Sequence, residues 1–263
     1  MNTMRIVKYT FVAAALVVST ASWADEKLEV ATPGELTCGA DGGYPPFSFT
    51  DASGKFDGLE VRVMDEMAKR AGLKYKPVVV KFNSALIGLM SGQFDALCNA
   101  MDITPARQKQ VLFADGWLES GGRLFVSADS DVKNPSDFKG TVGVLSSSTW
   151  AELAKKLGAK EIKYYTTEVD AIRDLTNKNI DGMITDAIVG AWAINKSKLP
   201  IKATEGYLSH VQKGFALRKD QPNLARALDK ALASMIADGT YEKLTSELLG
   251  YSPNPSEPIR TQF

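Results

Sequence analysis

The stretch SALIGLMSGQFDALCNAMDITPAR, residues 84–107, decides how this chain folds. Ser84 suits the N-cap of a helix ending at Gly92, and Phe94 to Cys98 follow as a strand. Directly beyond it, Thr104 and Pro105 have the chemistry of an N-cap and a first helical residue. Arg107 then falls in the first turn of a short helix, close to the strand end. The same grammar runs upstream. Leu36 to Ala40 reads as a strand that stops at Asp41-Gly42-Gly43. From Glu60, residues Val61, Met64, Met67, Ala68 and Ala71 share one helical face, and Gly72 ends it. Tyr75 to Val80 is a second, β-branched strand. Strand–helix–strand–helix–strand with short connections predicts a parallel sheet covered on both faces.

The second half repeats the pattern. Thr141 to Leu145 is a strand, Thr149 to Leu157 a helix closed by Gly158, and Glu161 to Tyr165 a strand. Thr167 suits the cap of the next helix, Ile180 to Thr185 is a strand, and Asp186 to Ile194 a helix. Gly214 to Arg218 reads as a last strand before two amphipathic helices, Asn223 to Ala237 and Tyr241 to Leu249. The tail Ser252-Pro253-Asn254-Pro255 is either an ordered wrap or a loose end. The fold expected is α/β with two lobes, each a mainly parallel sheet flanked by helices. Ligands in open α/β sheets collect at the carboxyl ends of strands, so facing units place a cleft at their junction.

Residues 1–24 read as a cleaved export leader. Arg5 and Lys8 supply the positive start, Tyr9 to Val18 the apolar run, and Ser22-Trp23-Ala24 a small-x-small cleavage site. The apolar run is far short of the roughly 20 residues a spanning helix needs. A periplasmic location and a monomer are the corresponding expectations. Lys and Arg number 31, as do Asp and Glu, so no basic field invites nucleic acid. The two cysteines, Cys38 and Cys98, fall in strands expected to be neighbours. A disulfide and two buried thiols both remain open, and the geometry of parallel strands favours the thiols. With only His210 besides, no metal-ligand spacing is present, and no cofactor is expected.

Four loops after strands carry the candidate binding chemistry. Asp41 and Tyr44 sit on a turn stiffened by Pro45 and Pro46. Asp102 and Arg107 follow the third strand, where a guanidinium suits a bidentate grip on a carboxylate. Ser148 and Thr149 precede a helix, whose N-terminus attracts anions. Asp186 either accepts from an ammonium or merely caps the helix behind it.

Several runs then resemble the polar amino-acid-binding proteins of bacterial ABC importers, the family 3 solute-binding proteins. They include Asp41 to Phe47, Gly54-Lys55-Phe56-Asp57-Gly58, Ser91 to Ala96, Asp102 to Arg107, Phe138 to Val144 and Ala237 to Leu244. The resemblance covers nearly the whole chain beyond the leader. It implies a receptor that closes two lobes on an amino acid and hands it to a membrane permease. Lobe 1 would comprise 25–120 and 214–263, and lobe 2 would comprise 121–213, with hinge crossings near 120–122 and 210–213. By position, Arg107 would hold the α-carboxylate with Ser148 and Thr149, Asp186 the α-ammonium, Tyr44 the side chain and Asp41 its far end. Asn83 and Asn99 complete the expected site.

The chain also departs from the family. Asp102 stands where many relatives have Ser or Thr, resembling an arginine-binding branch. Asn83 falls at a usual apolar wall, Ser147 at a usual Gly, and Trp150 at a usual polar residue. Three aspartates against Arg107 suggest a carboxylate-rich cleft, and so a basic or polar amino acid or a derivative. The rival is an enzyme on the same scaffold, dehydratase-like, with Asp41 or Glu119 as its acid or base; the receptor needs no chemistry.

Overall fold

The computed structural model describes residues 27–263. The expected leader lies outside the described residues. The chain opens with β1 (Glu35–Ala40) and a small antiparallel sheet of β2 (Gly43–Tyr44), β3 (Ser48–Thr50) and β4 (Phe56–Asp57). Then come α1 (Leu59–Arg70), β5 (Lys74–Val79), α2 (Phe82–Met90), β6 (Ala96–Asp102), α3 (Pro105–Gln108), β7 (Leu112–Phe113) and β8 (Leu118–Ser120). After Gly121 the chain enters β9 (Gly122–Ser127), β10 (Thr141–Leu145), α4 (Trp150–Leu157), β11 (Glu161–Tyr165), α5 (Glu168–Thr176), β12 (Gly182–Asp186), α6 (Ala187–Asn195) and β13 (Ile201–Ala203). It returns through β14 (Val211–Leu217) to α7 (Pro222–Ala237) and α8 (Thr240–Leu249).

These elements form two larger sheets, one to a lobe. The first has the order β5-β1-β6-β14-β7, with β8 also on β14; the second has the order β11-β10-β12-β9-β13. In both, the first three strands are parallel with the earliest in the middle, and an antiparallel strand follows. The parallel cores match the sequence reading. The antiparallel β14 and β9 do not follow from it, because periodicity carries no direction.

Local chemistry explains most element boundaries. Helix α1 buries Val63, Met64, Met67 and Ala68 against the sheet, and Lys69 and Arg70 in its last turn offset the C-terminal dipole. Helix α2 corrects one expectation: it begins at Phe82 behind Lys81, and the Ser84 hydroxyl donates to the Lys81 carbonyl. Strand β6 is buried along its whole length, as a central parallel strand should be. One face of the first sheet packs α1, α7 and α8 over Leu36, Phe47 and Phe215, while α2 covers the other over Phe94 and Leu97.

Cys38 and Cys98 form a disulfide between β1 and β6, Cα atoms 5.8 Å apart, so the expectation of free thiols is overturned. The register pairs Cys38 with Ala96. Cys98, two residues further, projects from the same face of the sheet, and the bond runs diagonally between adjacent strands. It closes a loop of sequence separation 60, so replacing both cysteines by alanine should cost about 2–4 kcal/mol in urea unfolding. A loss near zero would show that the bond restrains nothing in the unfolded chain.

The tail is an ordered wrap. Glu119 N–H donates to the Pro253 carbonyl at 2.8 Å and Gly116 N–H to that of Ile259 at 2.8 Å. Between the sheets, β8 runs antiparallel to β14, pairing Ser120 with Val211. At this crossing Gly121 approaches the other segment so closely that a Cβ would lie 2.0 Å from the Ser209 carbonyl oxygen.

Candidate functional site

The carboxyl ends of β1, β6, β10 and β12 converge between the two sheets. A cavity there is lined from one side by Tyr44, Phe82, Asn99, Ala100, Asp102 and Arg107. From the other side come Leu145, Ser148, Thr149 and Trp150, with Lys213 on the returning β14. Room for water-sized bodies is about 10 Å³, that of a single water molecule.

Arg107 is placed as its sequence predicts. The Thr104 side chain accepts from Arg107 N–H at 3.3 Å, Pro105 opens α3, and the guanidinium folds back over the strand end. One of its nitrogens, Nη1, donates to the Asp102 carbonyl at 3.0 Å, and the group lies 6.0 Å from the Phe82 ring centre. Burial pulls its pKa down, opposed by the nearby Asp102 charge.

Lys213 is the functional candidate that sequence reasoning missed. It is 1% exposed, and its ammonium lies 2.5 Å from Asp102 Oδ1 and 2.9 Å from Asp186 Oδ2. The second contact is an ion pair lying off the line of a hydrogen bond. The Trp150 ring centre stands 5.1 Å from the same ammonium. The remaining carboxylate oxygens are engaged too: Thr149 Oγ1 donates to Asp102 Oδ2. Ser120 Oγ and Ile188 N–H donate to Asp186 Oδ1, at 2.7 and 2.9 Å. The expectation of a carboxylate-rich cleft is therefore corrected, because two of its three aspartates already share a buried cation. The available signal was a lone charge in the apolar run of residues 211–217, which also sits where a hinge crossing was expected.

The other candidates divide. Asp41 is buried, but its carboxylate accepts from Gly43 N–H at 2.9 Å and Phe82 N–H at 3.1 Å. Asn99 Oδ1 accepts from Asp41 N–H at 2.6 Å, while its buried Nδ2 has no partner. Tyr44 stacks on Phe47 with ring centres 5.1 Å apart and forms a wall. Asn83 is a correction: it is exposed on α2, and its neighbour Phe82 faces the cavity, a displacement of one helical position. Ser147 adopts φ 63°, a left-handed conformation that favours glycine, the residue the family resemblance predicts there. Helix α4 starts without a side-chain cap: the hydroxyl of its N-cap residue, Thr149, donates to Asp102, and that of Ser148 to the Leu145 carbonyl at 2.6 Å. Its first N–H groups therefore have no side-chain acceptor beside Arg107 and the cavity.

A second, adjoining cavity brings Asp41 and Tyr44 to Glu168, another residue the sequence did not single out. Glu168 is buried, accepts from Thr185 Oγ1 at 3.1 Å, and has one oxygen without a partner. Burial pushes Glu168 and the equally buried Glu60 up to about 8, with Asp186 and Asp41 respectively adding to the rise. Each folded carboxyl thus keeps a proton that the unfolded chain releases above its ordinary value of 4.5. Stability conferred by that proton is full at low pH and should fall as pH rises from about 5 to 8, by up to ~1.4 kcal/mol per unit per group. Asp57, held low by Arg62, acts only at more acidic pH. Urea titrations across this window should give a flatter profile for the Glu60→Gln/Glu168→Gln variant than for the parent; identical slopes would refute the assignment.

Among the described residues, no group of three His, Cys, Asp or Glu side chains is arranged to hold a metal ion. No described helix is long and apolar enough to cross a membrane.

Paired α/β sheets facing one polar cavity define a two-lobed solute-binding architecture. The chain belongs to the bacterial extracellular solute-binding proteins, family 3, whose pattern matches residues 36–251. It is 30% identical to the L-cystine-binding protein TcyJ of Escherichia coli (strain K12) over 239 residues, covering 89% of this chain and 90% of that one. It is 30% identical over 234 residues to the histidine-binding periplasmic protein of Salmonella typhimurium, covering 84% and 90%. Among solved structures, an ancestral arginine-binding protein bound to glutamine superposes with a TM-score of 0.78 at 31% identity, covering 83% of this chain and 99% of that one. Each of these relatives is named as a binding protein.

Proposed function

We propose that this chain is the periplasmic receptor of an ABC importer, exported by a leader cleaved after Ala24 and working as a monomer. It captures an amino acid or close derivative between its lobes and carries it to the membrane permease. No reaction takes place in the site. The observation that carries this reading is the half-buried Arg107, with one short bond inside the chain and its fork beside the uncapped start of α4. Two sources of partial or full positive charge at one cavity suit a ligand carboxylate. Tyr44, Phe82, Leu145 and Trp150 form an apolar wall around the rest of the solute.

Closure supplies the transport logic. Room for a single water means that a solute of amino-acid size enters only when the lobes part. The crossings at Gly121 and at 209–211 are the places where they would swing. Solute that bridges both sheets then favours the closed form, which the permease recognises.

A thermal-shift screen against amino acids and their deaminated and acylated derivatives tests the reading. A narrow ligand set should raise the melting temperature, by the equivalent of about 2.7 kcal/mol at 100 times the dissociation constant. No shift with any of them would defeat it.

A further inference from the structure

Several polar groups around the central cavity are donors with capacity left. Arg107 uses one N–H within the chain, on the Asp102 carbonyl. Asn99 Nδ2 is buried and has no partner. Lys213 has three N–H donors and no acceptor; one is hydrogen-bonded to Asp102 and the ammonium also lies 2.9 Å from Asp186 Oδ2, so donor capacity remains. The start of α4 adds backbone N–H groups.

The aspartates beside the cavity already face a cation. Both oxygens of Asp102 are engaged, by Lys213 and Thr149. Asp186 Oδ1 accepts from Ser120 Oγ and Ile188 N–H, while its Oδ2, which has no hydrogen-bond partner, lies 2.9 Å from the Lys213 ammonium. The carbonyls of Asp102 and Leu145 are taken by Arg107 and Ser148. A ligand ammonium next to a carboxylate held on Arg107 would meet the Lys213 ammonium and have to share Asp102 and Asp186 with it. Like charges in a buried site repel strongly, and an unpaired ammonium there is costly.

We infer that Lys213 is a built-in ammonium, and that the solute is a carboxylic acid carrying an oxygen acceptor, not an ammonium, on its α-carbon: a 2-oxo or 2-hydroxy acid. This rests on the receptor reading above and narrows its ligand class. The carboxylate lies on Arg107 and the start of α4. The α-oxygen accepts from an N–H of Lys213 or from Asn99 Nδ2. Trp150 and the paired aspartates hold the Lys213 ammonium in place, so it acts as a specificity-determining residue.

The test is isothermal titration of the purified protein with matched trios, each an L-amino acid with its 2-oxo and 2-hydroxy counterparts. The side chains span those of alanine, leucine, phenylalanine, glutamine and arginine. In each trio that binds, an oxo or hydroxy member should bind roughly tenfold tighter or more than the amino acid. The double variant Lys213→Met/Asp102→Ser removes one charge of each sign and leaves Asp186 open; it should reverse that order. Tighter binding of the amino acid to the parent protein would overturn the inference while leaving the receptor reading intact. Binding by no member of any trio would overturn both. The parent titrations decide even if the double variant fails to fold.

Discussion

Lys213→Ala is expected to lower the stability of the ligand-free protein by about 3–5 kcal/mol, the largest effect of any single substitution at the site. The reason is what remains behind. Asp102 and Asp186 are 4% and 0% exposed, and both lose the one cation that, among the described residues, faces them at ion-pair distance. Thr149, Ser120 and the N–H of Ile188 still donate to them, which moderates the loss without neutralising two buried charges. Urea unfolding at pH 7 provides the measurement. A loss below about 1 kcal/mol would mean that the aspartates take up protons or water freely, and that the triad is not a fixed part of the site. Adding Asp102→Asn to the variant should recover part of the stability, because one unpaired charge disappears with it.

Arg107→Ala should abolish solute capture while leaving the fold nearly as stable as before. Within the chain Arg107 makes one side-chain hydrogen bond, to a carbonyl, and stands over one ring at 6.0 Å. Losing a bidentate, partly buried contact to a carboxylate costs about 2–5 kcal/mol, or roughly 30- to 5,000-fold in affinity. Arg107→Lys keeps the charge but not the planar fork, so it should fall between the two. An Arg107→Ala protein that binds its solute normally would place the carboxylate elsewhere.

Much of the lobe architecture was legible because its parallel strands and covering helices have strong, separate periods. Met64, Met67 and Ala68 mark a helix as plainly as the β-branched run at 78–80 marks a strand. Caps were legible where a short polar side chain precedes an apolar run, as at Thr104 and Thr167, both of which accept from the expected N–H. One failed at Ser84, where the helix starts three residues early, at Phe82 behind Lys81. The disulfide was not legible, since strand register decides whether Cys38 and Cys98 share a face, and register is a tertiary property. The site was legible by position at Arg107, Asp102 and Tyr44. It was misread in its electrostatics, because Lys213 arrives from a strand more than a hundred residues away in sequence. Asn83 was placed by resemblance alone, and the apolar wall that the resemblance implies is supplied one position earlier, by Phe82.

The central claim is that Arg107 and the start of α4 together hold the solute carboxylate. A crystal structure of the protein with the compound giving the largest thermal shift tests it most directly. Both carboxylate oxygens should lie within hydrogen-bond distance of the Arg107 guanidinium, with at least one also reached by an N–H from the first turn of α4. A solute seated between the lobes with its carboxylate on another cation, or one bound outside this cavity, would contradict the account.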